Sequence, residues 1–144
     1  IDPLTYRSHL QIAATDSAPI VRQHAMRSLM KGISETSTPQ VFSTLLSCAR
    51  DDDDPESRAI ALRGLTHHDS REAYERLIQA LEDANPCVRV NAVVALGQRG
   101  DLNALMKLQQ TRDDPHPEVR ARVGEAMTLL NQHMAAHDDG DDDS

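Results

Sequence analysis

Residues 83–97 read DANPCVRVNAVVALG, and the order of residue types in this stretch decides the fold. Asp83 precedes Pro86 by three residues, and Val88, Arg89, Ala92 and Leu96 follow the proline at +2, +3, +6 and +10. Proline suits the first position of a helix, where its missing N–H would have had no partner within the helix. The Asp before it can accept hydrogen bonds from the N–H groups of a turn. Val88, Ala92 and Leu96 then recur at i, i+4 and i+8, a stripe on one helical face. Upstream, Ala73, Leu77 and Ala80 lay down the apolar stripe of an earlier helix. The stretch therefore predicts a helix, a tight Asp-Pro turn and a second helix.

The same order recurs four times without a gap over twenty positions. Leu10, Ala13, Asp16, Pro19, Val21, Arg22, Ala25 and Leu29 form the first copy. Leu46, Ala49, Asp52, Pro55, Ser57, Arg58, Ala61 and Leu65 form the second, and residues 77–96 the third. Leu108, Thr111, Asp114, Pro117, Val119, Arg120, Val123 and Met127 form the fourth. Leu, Asp, Pro and Arg are identical in all copies; with Pro at about 5% of average usage, chance coincidence is negligible. The prolines at 19, 55, 86 and 117 give a period of 31 with one five-residue insertion between Lys31 and Pro39. A fixed period of this length marks stacked supersecondary units, each unable to bury its apolar face alone.

The expected architecture is all-α: an α-α superhelix, or solenoid, of four helix pairs and about eight helices. The repeats fall at residues 5–32, 38–66, 70–99 and 101–137, within one domain spanning 5–137. Residues 1–4 read as a cloning remnant and residues 138–144 as a disordered acidic tail. Gly32, Gly64, Gly97 and Gly100 read as helix ends. Composition agrees, since aromatic residues are only 2% and there is no Trp, so Leu, Ala, Val, Ile and Met must fill the core. The net charge of −8 is concentrated: five Asp residues in 138–143 leave −3 for the rest. A like-charge block of that kind is usually a solvated segment.

One offset carries charge. Arg22, Arg58, Arg89 and Arg120 each follow an Asp, at 16, 52, 83 and 114, by six residues. Stacking the pairs would align two rows, so each arginine is expected to pair with Asp of its own or the adjacent turn and tie neighbouring repeats together. A phosphate-binding arginine row is the weaker reading in a chain with this acidic balance.

Helix, Asp-turn-Pro, then a helix opening Val-Arg with an Ala-Leu stripe resembles the HEAT repeat. The short period and Asn85-Pro86-Cys87-Val88-Arg89 leading to Ala95-Leu96-Gly97 look like the short subtype found in phycobilin lyases. The resemblance covers residues 5–134 and implies a binding scaffold whose second helices line a concave side. Positions +1, +5, +8 and +12 from each proline should face that side. They are Ile20, His24, Arg27 and Lys31; Glu56, Ile60, Arg63 and His67; Cys87, Asn91, Val94 and Gln98; Glu118, Arg122, Glu125 and Leu129. The first two rows mix basic and apolar side chains, which suits a peptide or helix with some acidic residues.

Catalytic chemistry is sparse. HEAT-like metalloenzymes of the deoxyhypusine hydroxylase type use His-Glu dipeptides as di-iron ligands, and no His-Glu occurs here. His67, His68 and Asp69, or His133 and His137, offer ligand spacing without a third and fourth ligand fixed by packing. Cys48 and Cys87 have no CxxC partner and read as reduced apolar fillers. The expectation is thus a non-catalytic scaffold or adaptor with no cofactor, no metal and a protein or peptide partner. It is expected to be cytoplasmic and monomeric, without membrane or nucleic-acid contact; an accessory role beside a bilin-lyase-like enzyme is the alternative.

Overall fold

A computed structural model describes residues 3–31 and 38–138. The helices are α1 (Pro3–Ala13), α2 (Pro19–Lys31), α3 (Pro39–Asp51), α4 (Pro55–Leu65), α5 (Arg71–Ala80), α6 (Pro86–Arg99), α7 (Leu105–Gln110) and α8 (Pro117–Asp138). Gly32 and residues 139–144 of the acidic tail lie outside the described residues, as do residues 1 and 2. The chain divides into two compact units, Ile1–His68 and Asp69–Ser144. In the first, α1 packs on α2, α3 on α4, and α2 on α4; in the second, α5 packs on α6, α6 on α8, and α7 on α8. Each unit is thus a double layer of helix pairs of the α-α solenoid class. None of the described helices is long and apolar enough to cross a membrane.

The turns form as the residue types dictate. Each repeat Asp accepts through its side chain from the N–H two residues on: Asp16 from Ala18 at 2.8 Å, Asp52 from Asp54 at 3.0 Å, Asp83 from Asn85 at 2.9 Å and Asp114 from His116 at 2.9 Å. This side-chain turn stops one helix and delivers the chain to a proline that begins the next. Asp54 and Asn85 then cap α4 and α6. Ser57, at a position that holds Val in the other copies, is fully buried, and its hydroxyl donates to Asp54 at 2.7 Å. That bond satisfies the polar group an apolar stripe would otherwise strand.

The fourth repeat is looser in its first helix, where 3-10 turns at Leu102–Ala104 and Thr111–Asp113 flank the six-residue α7. Thr111 donates back to the Lys107 carbonyl at 2.8 Å, competing with the helical ladder where other copies have Ala. Three glycines correct or qualify the expected helix ends. Only Gly100 serves as one, with φ +71°. Gly64 and Gly97 lie inside α4 and α6 instead. A Cβ on Gly64 would sit 2.8 Å from the Met30 sulfur, and one on Gly97 would sit 2.9 Å from the Ala126 Cβ and 3.0 Å from its Cα. At Gly97 the backbone of α8 occupies that space, whereas over Gly64 it is filled by the side-chain ends of Met30 and Leu45.

Candidate functional site

Two constellations are built on this frame. The first links consecutive repeats. Arg22 donates from Nε to Asp52 at 2.9 Å and from Nη2 to the other Asp52 oxygen at 2.8 Å, with a further bond to Asp53 at 2.7 Å. Its Nη1 is pinned to the carbonyls of Asp16 and Ser17. Arg89 repeats the pattern: two bonds to Asp114 at 2.8 and 2.9 Å, and Nη1 on the carbonyls of Asp83 and Ala84. Both pairs are largely buried, with side-chain exposures of 10% and 5% for Arg22 and Asp52 and of 12% and 7% for Arg89 and Asp114. The arginine therefore takes backbone carbonyls from its own turn and a carboxylate from the next. Bidentate geometry of this kind fixes orientation as well as adding energy.

Electrostatics follow. Burial pushes the Asp114 carboxyl up, but the Arg89 hydrogen bonds, the His116 N–H and the two positive neighbours outweigh it and hold the group below its ordinary value. Asp54 behaves alike, with burial opposed by bonds from Ser57 and Gln23. Arg58 donates to the Asp52 carbonyl at 2.7 Å. Arg120 departs from the expected pairing: it donates to the carbonyls of Asp114 and Pro115, and no carboxylate meets it among the described residues. The reason is positional, since no further Asp turn follows α8 among those residues.

The second constellation is the face shared by α2 and α4. Arg27 and Arg63, one from each helix, both donate to the same Glu56 oxygen, at 3.1 and 3.3 Å. All three side chains remain 40–51% exposed. Ile20, His24, Lys31 and His67 are exposed around them. Ile60 does not join them: it is fully buried, which corrects the expectation that it faces a groove. Ala59, Ile60, Ala61 and Leu62 are all buried in succession because α2 and α3 both press on α4, so its apolar face is wider than a single stripe.

The corresponding face of the second unit is different in kind. Asn91 and Val94 are half-buried, with Asn91 donating to the Cys87 carbonyl at 2.8 Å. Arg122 is paired with Glu125 at 2.9 Å. Neither carries an excess of positive charge.

The histidine candidates separate. The His68 ring stacks on Phe42, centroids 3.7 Å apart and 14° from parallel, while His67 is exposed. His133 lies where a Cβ on Gly100 would go. No three His, Cys, Asp or Glu side chains converge as a metal site among the described residues, so they do not fit a di-iron centre. Sequence reading missed Glu56 as the acid between Arg27 and Arg63, because the Arg27 bond joins residues of different repeats. It also missed the Phe42–His68 stack, which joins α3 to the turn after α4 and depends on how the two helices of that pair lie together.

Comparison with known proteins gives three findings. A family model described as HEAT repeats matches residues 42–128. No curated protein matches the sequence. Among the 23 solved chains that match is human deoxyhypusine hydroxylase in complex with glycerol, 23% identical, with a TM-score of 0.74 over 93% of this chain and 47% of that one. This chain thus spans about half the length of that structure. The likeness corrects the expectation that the chain is not an enzyme: an enzyme is built on the same fold, so helical-repeat architecture is no ground for setting catalysis aside. At this identity the likeness shows the fold alone.

Proposed function

Since the chain belongs to the HEAT-repeat family, we propose that it is a helical-repeat scaffold whose α2 and α4 face binds an acidic segment of a protein or peptide. The observation that carries this reading is the convergence of Arg27 and Arg63 on one Glu56 oxygen. Two guanidinium groups already share a carboxylate there, with Lys31, His24 and His67 exposed nearby, on a chain whose net charge is −8. A ligand carboxylate placed beside Glu56 meets donors fixed on two helices, which lowers the ordering cost of binding. Exposed Ile20 supplies apolar area next to the charges.

The test is fluorescence anisotropy with an amphipathic helical peptide carrying paired Glu residues beside Leu, and with its Lys counterpart. The wild-type protein should bind the acidic peptide and not the basic one, more weakly as salt rises. Arg27→Glu with Arg63→Glu should weaken binding by at least about tenfold while melting like the wild type. Equal binding of both peptides, or of wild type and variant, would overturn the reading.

A further inference from the structure

The arginines of this chain divide by how fully their guanidinium groups are used. Arg22 and Arg89 engage Nε, Nη1 and Nη2, and their bonds to carboxylates measure 2.7–2.9 Å. Arg27 and Arg63 each donate through Nη2 alone, both to one Glu56 oxygen. Their Nε and Nη1 groups meet no acceptor among the described residues.

Those two bonds are also long. An arginine on a carboxylate normally closes to about 2.7–2.9 Å. Arg71–Glu75 and Arg122–Glu125, which are exposed too, do so at 2.7 and 2.9 Å. The Glu56 bonds stay at 3.1 and 3.3 Å, because a single oxygen accepts from two cations standing on different helices and satisfies neither fork. Charge is unmatched as well, with two guanidinium groups facing one carboxylate on half-exposed side chains.

An anion with more charge and more acceptor directions than a carboxylate fits both forks at once. A phosphorylated Ser or Thr carries about −1.5 to −2 at neutral pH on three terminal oxygens, so separate oxygens can take the two arginines. Resting on the reading that this face binds an acidic segment, we propose that it selects a phosphorylated side chain within that segment, whose phosphoryl group displaces Glu56 from Arg27 and Arg63. A polynucleotide fits less well, since a chain of net charge −8 with 2% aromatic residues offers neither a long basic track nor stacking platforms.

Fluorescence anisotropy on the 144-residue chain at fixed ionic strength tests it. One acidic amphipathic peptide is made in three forms that differ at a single central position: Ser, Glu or phosphoserine. The phosphoserine form should bind at least about tenfold more tightly than the Ser form, and clearly more tightly than the Glu form, as added charge-assisted hydrogen bonds require. Arg27→Lys with Arg63→Lys keeps both charges and removes the forks. That variant should melt like the wild type and weaken the phosphoserine form most, cutting its advantage over the Glu form to below about twofold. Equal binding of the phosphoserine and Glu forms to the wild type would overturn the proposal and leave acidic-segment binding standing. An advantage that survives both lysine substitutions would overturn it too, by placing the phosphate elsewhere. Failure of all three forms to bind would overturn both readings. A single-stranded oligonucleotide of the same charge that binds more tightly than the phosphopeptide would overturn the proposal in favour of nucleic acid.

Discussion

The two units use one interlock and build different surfaces on it. In both, an arginine reaches the Asp of the next turn and the +11 residue lies over the +9 residue. In the first unit that contact is soft, a methionine sulfur over Gly64, and the outward face gathers Arg27 and Arg63 about one acid. In the second it is hard, helix against helix at Gly97 and Ala126, and the outward face is half-buried or internally paired. The Arg and Asp that join the repeats are thus the same in both units, while the helix contact beside them and the outward face differ.

The largest expected effect lies at the hard contact. Gly97→Leu should cost about 3 kcal/mol, the upper part of the usual overpacking range, because the obstacle is the Ala126 backbone. Gly64→Ala should stay within about 1 kcal/mol, since Met30 and Leu45 can move aside and alanine favours the helix. Urea midpoints for each variant read the comparison directly, and equal costs for Gly64→Ala and Gly97→Ala would break it.

Next come the buried pairs. Arg89→Met strands the Asp114 carboxylate and should lower the midpoint clearly more than Arg71→Met, whose exposed i, i+4 pair with Glu75 is worth about 0.3–0.5 kcal/mol. The pH dependence has a fixed sign. Asp114 is held below its unfolded value of about 3.9, so its contribution is fully present above that pH. It is lost as pH falls through the lower folded value. The stability gap between wild type and Asp114→Asn should therefore be constant near neutrality and shrink on acidification below about pH 5, as acid titration followed by circular dichroism would show. A gap that widens on acidification would contradict the pairing.

The helix pairs were legible because four copies repeat the same solution, so Asp16, Asp52, Asp83 and Asp114 each announce a turn. Gly64 and Gly97 were misread as helix ends although the signal was present: Leu65, the last residue of the second copy's stripe, follows Gly64, so the helix has to include both. Ile60 was misplaced because a stripe predicts one buried face, and α4 is pressed by two neighbours. The bond from Arg27 to Glu56 crosses 29 residues and depends on how α2 lies against α4, which no spacing within one repeat reveals.

The smallest change tests the most. Glu56→Gln leaves both arginines and removes the charge they share, so acidic-peptide binding measured by anisotropy should tighten by a few-fold, while Arg122→Glu in the second unit should leave it unchanged. Binding that weakens on Glu56→Gln, or that responds to Arg122→Glu instead, would contradict the assignment of the ligand to the face of α2 and α4.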